Sequence, residues 1–145
     1  MLGLTASTIM QVALLATAGG DYQEAFEKAD KEGKPLLVLV GTNWCPGCRV
    51  MKQETIPEFR RTGGLNNVVF TQVDADAKPE LSSKLLRGNS IPQLVLYTKV
   101  GKLWRRTQLT GAHSPTEISG FLKREIAAGR AAAKKVIQQR LTSAK

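Results

Sequence analysis

The two cysteines of this 145-residue chain stand two residues apart, in the run Trp44-Cys45-Pro46-Gly47-Cys48. A pair at this spacing can bring its sulfur atoms within bonding distance and act as a reversible two-electron couple. The alternatives are a pair of structural thiols or half of a metal site. Two cysteines and the single histidine cannot complete a four-ligand zinc site, so we expect no metal and no other cofactor. Haem attachment is excluded because Arg49, and not histidine, follows the second cysteine.

The cysteine pair falls where a predicted strand meets a predicted helix. Residues 36–40 form a short continuous apolar run typical of a strand buried on both faces, and residues 45–59 have a helical pattern. The unpaired N–H groups and the dipole at a helix N-terminus favour a thiolate, which is the nucleophilic form of a cysteine. We therefore expect Cys45 to be exposed and to attack a substrate, and Cys48, one turn further in and more buried, to resolve the mixed disulfide.

A second feature that agrees with this chemistry is Ile91-Pro92, just before a predicted strand at residues 94–97. An isolated X–Pro bond is usually trans, but the spacing from the cysteines favours a cis bond here. The backbone of Ile91 would then face the cysteine helix, and an extended substrate peptide could pair with it while its sulfur meets Cys45. Trp44, next to Cys45, either borders this substrate surface or packs internally.

Helices and strands alternate along the rest of the chain. Helical patterns cover about residues 21–33, 45–59 and 79–87, and a capping box at Ser114-Pro115-Thr116-Glu117 starts the last helix. Strands are predicted at residues 36–40, 68–73 and 94–97, and a fourth strand at residues 103–109 follows a Gly-containing turn at residues 99–102. Pro57 is expected to bend the second helix. The order αβαβαββα predicts an α/β protein with a mixed four-to-five-stranded sheet flanked by helices.

The formal net charge of +9 is unevenly distributed. Residues 121–145 carry seven Lys and Arg against Glu125 alone, a net +6, whereas residues 19–120 carry 14 against 11, a net +3. We expect a basic helical extension over residues 128–145, which either docks weakly to a membrane or an acidic partner or is a solvated face. Nucleic acid is not the expected partner. Trp104, Arg105 and Arg106 lie on a predicted edge strand, where charges commonly block aggregation.

Residues 2–18 carry no charge and are too short and too polar for a transmembrane helix. The run Ala16-Thr17-Ala18 fits the cleavage site of a secretory signal, although no Lys or Arg precedes the apolar stretch. We expect residues 1–18 to be a signal peptide or an N-terminal arm, residues 19–127 to be the domain, and the protein to be exported to a periplasmic or other extracytoplasmic space. The alternative location is the cytoplasm.

From about residue 21 to residue 127 the chain resembles the thioredoxin family. The resemblance rests on Lys34-Pro35 before the apolar strand, Trp44-Cys45-Pro46-Gly47-Cys48, Ile91-Pro92 before a strand, Gly101 in a hairpin, and Gly111 before the last helix. It implies the thioredoxin fold, cis Pro92, and thiol–disulfide exchange by Cys45 and Cys48 in a monomer. The implied partners are protein disulfide or dithiol substrates and a redox protein that recycles the site. Lys34-Pro35 with its preceding helix is similar to exported thioredoxin-like proteins.

Two departures from the family pattern limit what the resemblance implies. Thioredoxins place a buried Asp six residues before the first cysteine to help proton transfer, and Leu39 stands there. Cys48 is therefore expected to deprotonate slowly or to rely on water or substrate. Pro46-Gly47 reverses the thioredoxin Gly-Pro order; this pair tunes the potential, which spans about −270 to −120 mV in such proteins, so the direction of the reaction stays open. The alternative function, supported by Leu39, is a non-catalytic binding module docked by the basic C-terminal helix.

Overall fold

The computed structural model describes residues 22–144. The predicted signal or arm at residues 1–18 lies outside the described residues. The elements, in chain order, are α1 (Tyr22–Glu32), β1 (Leu36–Gly41), α2 (Pro46–Val50), a π-helical turn (Met51–Thr55), α3 (Ile56–Arg61), β2 (Val69–Asp74), α4 (Pro79–Leu85), β3 (Gln93–Val100), β4 (Leu103–Thr110) and α5 (Pro115–Ser143).

The four strands form one mixed sheet in the order β2-β1-β3-β4, which confirms the predicted architecture. β1 pairs with β2 in parallel and with β3 antiparallel, and β3 continues into an antiparallel hairpin with β4. Every residue of β1 is buried because helices cover both faces of the sheet. Leu37 and Leu39 pack in the core that includes α3 and α5, whereas Val38 and Val40 pack in the core that includes α1 and α4.

The second predicted helix is one helical stretch whose middle turn is widened. The N–H of Ile56 donates to the carbonyl of Met51, five residues back, and Pro57 stands in the first turn of α3. A proline inside a regular α-helix removes one hydrogen bond and its ring clashes with the carbonyl four residues back. The π-helical turn before Pro57 is therefore the local form that the predicted irregularity takes.

α5 is one continuous helix of 29 residues. The predicted capping box is present, since the Ser114 side chain and Glu117 cap each other's backbone N–H. The predicted boundary after residue 127 falls inside this helix, so the basic extension continues it without a break. Gly129 is buried against β3, where an added Cβ would lie 2.7 Å from Thr98 Oγ1. None of the helices within residues 22–144 combines the length and apolar content needed to cross a membrane.

The basic and aromatic residues of the edge strand β4 make contacts within the domain. Arg105 forms a 3.0 Å ion pair with Glu125 of α5, and Arg106 donates to the carbonyl of Leu85. Trp104 packs against Phe26 of α1, with ring centroids 5.4 Å apart. These contacts tie β4 to helices on both sides of the sheet.

Candidate active site

Cys45 is the N-cap residue of α2, and its side chain folds back over the helix terminus. Its Sγ accepts a hydrogen bond from the backbone N–H of Cys48 at 3.3 Å. The thiol also faces the carbonyl oxygen of Ile91, 3.9 Å away. The prediction that Cys45 is exposed is wrong, because these contacts leave the residue only 7% exposed. Its sulfur nonetheless lies at the unpaired, electropositive end of the helix, as predicted.

Cys48 is fully buried, one turn into the helical stretch. Burial raises the pKa of its thiol to about 11, and the hydrogen bond with Cys45 acts in the same direction. A backbone hydrogen bond from Thr42 and the charge of Lys52 lower that pKa, but by less than burial raises it. Cys48 is therefore a neutral thiol near pH 7, whereas the sulfur of Cys45 already accepts an N–H donor.

Gly41, the last residue of β1, makes room for the buried thiol. A Cβ at this position would lie 2.7 Å from Cys48 Sγ and 3.1 Å from Cys48 Cβ, closer than real side chains approach. Sequence analysis did not identify Gly41 as part of the site. A glycine at the end of an otherwise branched apolar strand is a usable signal, since such positions often mark a close approach.

Two loops meet at the cysteine helix. The Ile91–Pro92 peptide bond is cis, and Pro92 is buried. A Cβ on Gly47 would lie 3.4 Å from Pro92 Cδ and 3.6 Å from Ala112 Cβ, so the turn between the cysteines sits against both loops. The N–H of Gly111, which has a φ of 99°, donates to the Pro92 carbonyl at 2.8 Å and joins the two loops. Ala112 is a site neighbour that sequence analysis missed.

Trp44 is an exposed ring held in place by its polar edge. Its side chain is 67% exposed, and its indole N–H donates to Asp76 Oδ2 at 2.9 Å. In the same loop, the Asn43 side-chain amide donates to Asp74 Oδ2 at 3.0 Å. Sequence analysis did not place these two aspartates beside the cysteines. The position of Asp74 and Asp76 next to the Asn43–Trp44 loop could have been anticipated, because β1 and β2 are parallel and the carboxyl ends of parallel strands meet at one edge of the sheet.

The structure thus gathers every predicted site residue at one end of the sheet. Pro46 is exposed at the first position of α2, where its missing N–H needs no partner. Ile91 is half-buried and presents its carbonyl to Cys45. The arrangement consists of one sulfur at a helix N-terminus, a second buried sulfur one turn away, and a rim made of Trp44, Gly47 and Pro92. Its chemical capacity is dithiol–disulfide exchange.

Comparison with known proteins agrees with this geometry. A family model described as "Thioredoxin-like domain" matches residues 22–126. A thioredoxin from Coprinus comatus is 27% identical over 104 residues, which are 72% of this chain and 92% of that protein. The thiol:disulfide interchange protein DsbD of Pseudoalteromonas atlantica is 23% identical over 94 residues. Those residues are 63% of this chain but 16% of DsbD, so that likeness concerns one part of a much longer protein.

Solved structures show the same fold. A thioredoxin from Thermus thermophilus superposes with a TM-score of 0.64 at 22% identity, over 74% of this chain and 85% of the other. Mitochondrial thioredoxin 3 from Saccharomyces cerevisiae gives a TM-score of 0.53 at 20% identity, over 70% and 89% of the two chains. With the cysteine pair at the start of α2 and the matching family model, the chain belongs to the thioredoxin-like family.

Proposed function

We propose that the protein exchanges disulfides with protein substrates through the Cys45/Cys48 couple. In the reducing direction, the thiolate of Cys45 attacks one sulfur of a substrate disulfide. A Cys45–substrate disulfide forms, the substrate S–S bond breaks, and the other substrate sulfur leaves as a thiolate that takes up a proton. The observation that carries the proposal is the position of Cys45 Sγ, which accepts the Cys48 N–H at 3.3 Å at the helix N-terminus.

In the second step, Cys48 resolves the mixed disulfide. Its thiol loses a proton, and the thiolate attacks Cys45 Sγ, so that the Cys45–Cys48 disulfide forms and the substrate leaves reduced. Two electrons pass from the cysteine pair to the substrate, and the reverse sequence oxidises a substrate dithiol. Because burial raises the pKa of Cys48, its deprotonation is the demanding event of this step. Reduction of the Cys45–Cys48 disulfide back to the dithiol needs a separate redox partner, which we propose to be another thiol–disulfide protein.

The rim around the cysteines is the proposed substrate surface. Trp44 offers an exposed aromatic face, and Asp76 holds it beside Cys45. Pro46 and Gly47 form the turn that an approaching substrate would face, and Pro92 borders that turn. We propose that an extended peptide adds to the backbone at Ile91 while its sulfur meets Cys45. The thioredoxin relatives support a protein substrate, and we propose that the protein works as a monomer.

Two single substitutions test the mechanism. Cys45→Ser is expected to abolish reduction of insulin by the protein in the presence of dithiothreitol, because the attacking thiol is lost and the remaining thiol, that of Cys48, is fully buried. Cys48→Ser is expected to lose turnover as well, yet to accumulate a mixed disulfide with insulin that is visible on a non-reducing gel. Equal trapping by both variants, or full turnover by Cys45→Ser, would contradict the assigned roles.

The direction of the reaction is measured by the reduction potential of the couple. A value near −270 mV assigns a reductase and a value near −120 mV an oxidant. The second candidate function, a binding module without turnover, draws on Leu39, which is fully buried in β1 where the family has its proton-transferring aspartate. The binding module would be favoured if the wild type shows no turnover although its two cysteines react, slowly, with a thiol reagent.

Export remains a proposal that rests on residues 1–18. Extracellular or periplasmic recovery of a chain shortened near residue 18 would support it, whereas full-length protein in the cytoplasm would support the alternative location.

A further inference from the structure

The last turns of α5 combine cations with exposed aliphatic side chains. We call this set the terminal surface; it consists of Arg130, Lys134, Lys135, Ile137, Arg140 and Leu141. Ile137 and Leu141 are 58% and 65% exposed. Residues 126–144 contain no Asp or Glu, so no carboxylate within this stretch neutralises the four cations. This end of the helix therefore exposes apolar side chains to solvent and carries a positive charge that no neighbouring carboxylate balances.

Ile137 and Leu141 share one face of α5 with two of the four cations, Arg130 and Lys134. A helix turns about 100° per residue, so positions 130, 134, 137 and 141 lie along a single stripe. The stripe is distinct from the packed side of α5, which places Gly129 against Thr98 and Val136 beside Gly101. Ile137 and Leu141 therefore project from a flank with Arg130 and Lys134 in line with them.

The hairpin between β3 and β4 extends this region. A Cβ added to Gly101 would lie 3.7 Å from Val136 Cγ1, which puts the hairpin tip directly against the helix. Lys102 and Leu103 follow Gly101 at that tip, and Leu103 is 76% exposed. A third unburied aliphatic side chain and another cation thus lie at the same end of the molecule.

We propose that the terminal surface docks the protein onto an anionic membrane surface. Lys and Arg would contact the headgroup charges while Ile137 and Leu141 enter the headgroup boundary. The described residues favour a lipid surface over a single acidic protein. Lys135 and Arg140 point to other sides of the helix than the stripe, and a fluid anionic surface attracts such dispersed charge without needing a complementary shape.

Docking at this place leaves the cysteines accessible. α5 begins beside the loop that contacts Gly47 and ends past the hairpin at the opposite end of the sheet. At a rise of 1.5 Å per residue, the helix from residue 115 to residue 141 spans about 39 Å. The docked protein would therefore hold Cys45 away from the lipid, so that docking and thiol chemistry can be measured separately.

Vesicle sedimentation with the full chain tests the proposal. The probes are vesicles of phosphatidylcholine alone and of phosphatidylcholine with phosphatidylglycerol at roughly three to one, at low and high salt. The docking variant is Lys134→Glu with Lys135→Glu. The matched control carries the same change in charge on α1, Lys28→Glu with Lys31→Glu, both at exposed positions. A third variant, Ile137→Ser with Leu141→Ser, removes the aliphatic groups. Circular dichroism and insulin reduction verify that each variant is folded.

We expect salt-sensitive binding to the anionic vesicles only, weakened at least tenfold in the docking variant and by less than about twofold in the control. Loss of binding in the aliphatic variant is expected as well. Equal weakening of docking variant and control would overturn the proposal in favour of an unspecific charge effect. Full binding by the aliphatic variant would overturn the insertion at the headgroup boundary. Absence of wild-type binding to vesicles, with α5-dependent binding to polyglutamate, would instead assign an acidic protein partner.

Discussion

At the scale of single residues, the buried thiol of Cys48 links the site to the stability of the fold. Its pKa is raised from the ordinary value of 9.0 to about 11, mainly by burial. The folded state thus holds this proton more tightly than the unfolded chain does. The resulting stabilisation is complete below about pH 9 and is lost as the pH rises through 11. The reduced protein should therefore lose stability between these two values.

Urea unfolding of the reduced protein between pH 7 and pH 11 measures this loss. Lysines and tyrosines titrate in the same range, so the wild type is compared with Cys48→Ser, which keeps all of them. The difference in the free energy of unfolding between the two proteins should stay constant up to about pH 9 and then shift against the wild type. A difference that does not change with pH would contradict the raised pKa.

The site was predictable from sequence where its chemistry lies in one short segment. The run from Trp44 to Cys48 is contiguous, and a strand-to-helix junction explains why it is reactive. The contact of Trp44 with Asp76 spans 32 positions, and the approach of Gly41 to Cys48 depends on how β1 meets α2. Such contacts follow from packing between elements, which local patterns do not encode. The burial of Cys45 was missed for the same reason.

At the scale of elements, the residues of β1 determine which side chains pack against the buried thiol of Cys48. Leu39 and Gly41 point to the same face because side chains alternate along a strand, and that face carries Cys48. Leu39 occupies the position of the aspartate that assists proton transfer in thioredoxins. A carboxylate introduced at this position could accept the proton of Cys48 and should therefore speed its deprotonation. Because that carboxylate would be unpaired in the core, it should also cost about 3–5 kcal/mol of stability.

Leu39→Asp tests this idea, with Leu37→Asp as its control. Leu37 is equally buried on the same face of β1 but lies two residues farther from Gly41. Both variants should show lower melting temperatures. Only Leu39→Asp should resolve the mixed disulfide faster at pH 7, as measured by the rate of insulin release in single-turnover quench experiments. The same rate in both variants would show that proton transfer at this position does not limit the step.

The elements themselves were largely predictable. A continuous apolar run bounded by turn residues predicted β1, because a strand covered on both faces needs no polar alternation. The order of elements and the mixed sheet are confirmed. The π-helical turn could not be predicted from the sequence, because Pro57 predicts an irregular helix but not which of its hydrogen bonds change. The basic helical extension was predicted, and in the structure it continues α5 without a break as far as Ser143.

At the scale of the whole molecule, the cysteines and the terminal surface lie at opposite ends of the sheet. α5 belongs to both halves of this arrangement. Its first part buries Ile118, Phe121 and Leu122 in the core, and Gly129 rests on Thr98. No residue between 130 and 144 is buried, and Val136 is only half-buried beside the hairpin. The chemistry and the fold should therefore tolerate loss of the final turns.

Truncation tests this division of α5. A chain that ends after residue 130 should reduce insulin at a rate within about twofold of the wild type, since every site residue and the buried part of α5 remain. It should lose roughly 1–2 kcal/mol of stability, the contribution of the half-buried Val136 and its neighbouring alanines. A chain that ends after residue 122 also lacks Ile126 and the contact of Gly129 with Thr98, and should unfold at a markedly lower temperature. Melting curves and insulin reduction measure both effects. Loss of thiol chemistry in the longer chain, with its fold intact, would mean that the last turns of α5 act on the cysteines across the whole length of the sheet.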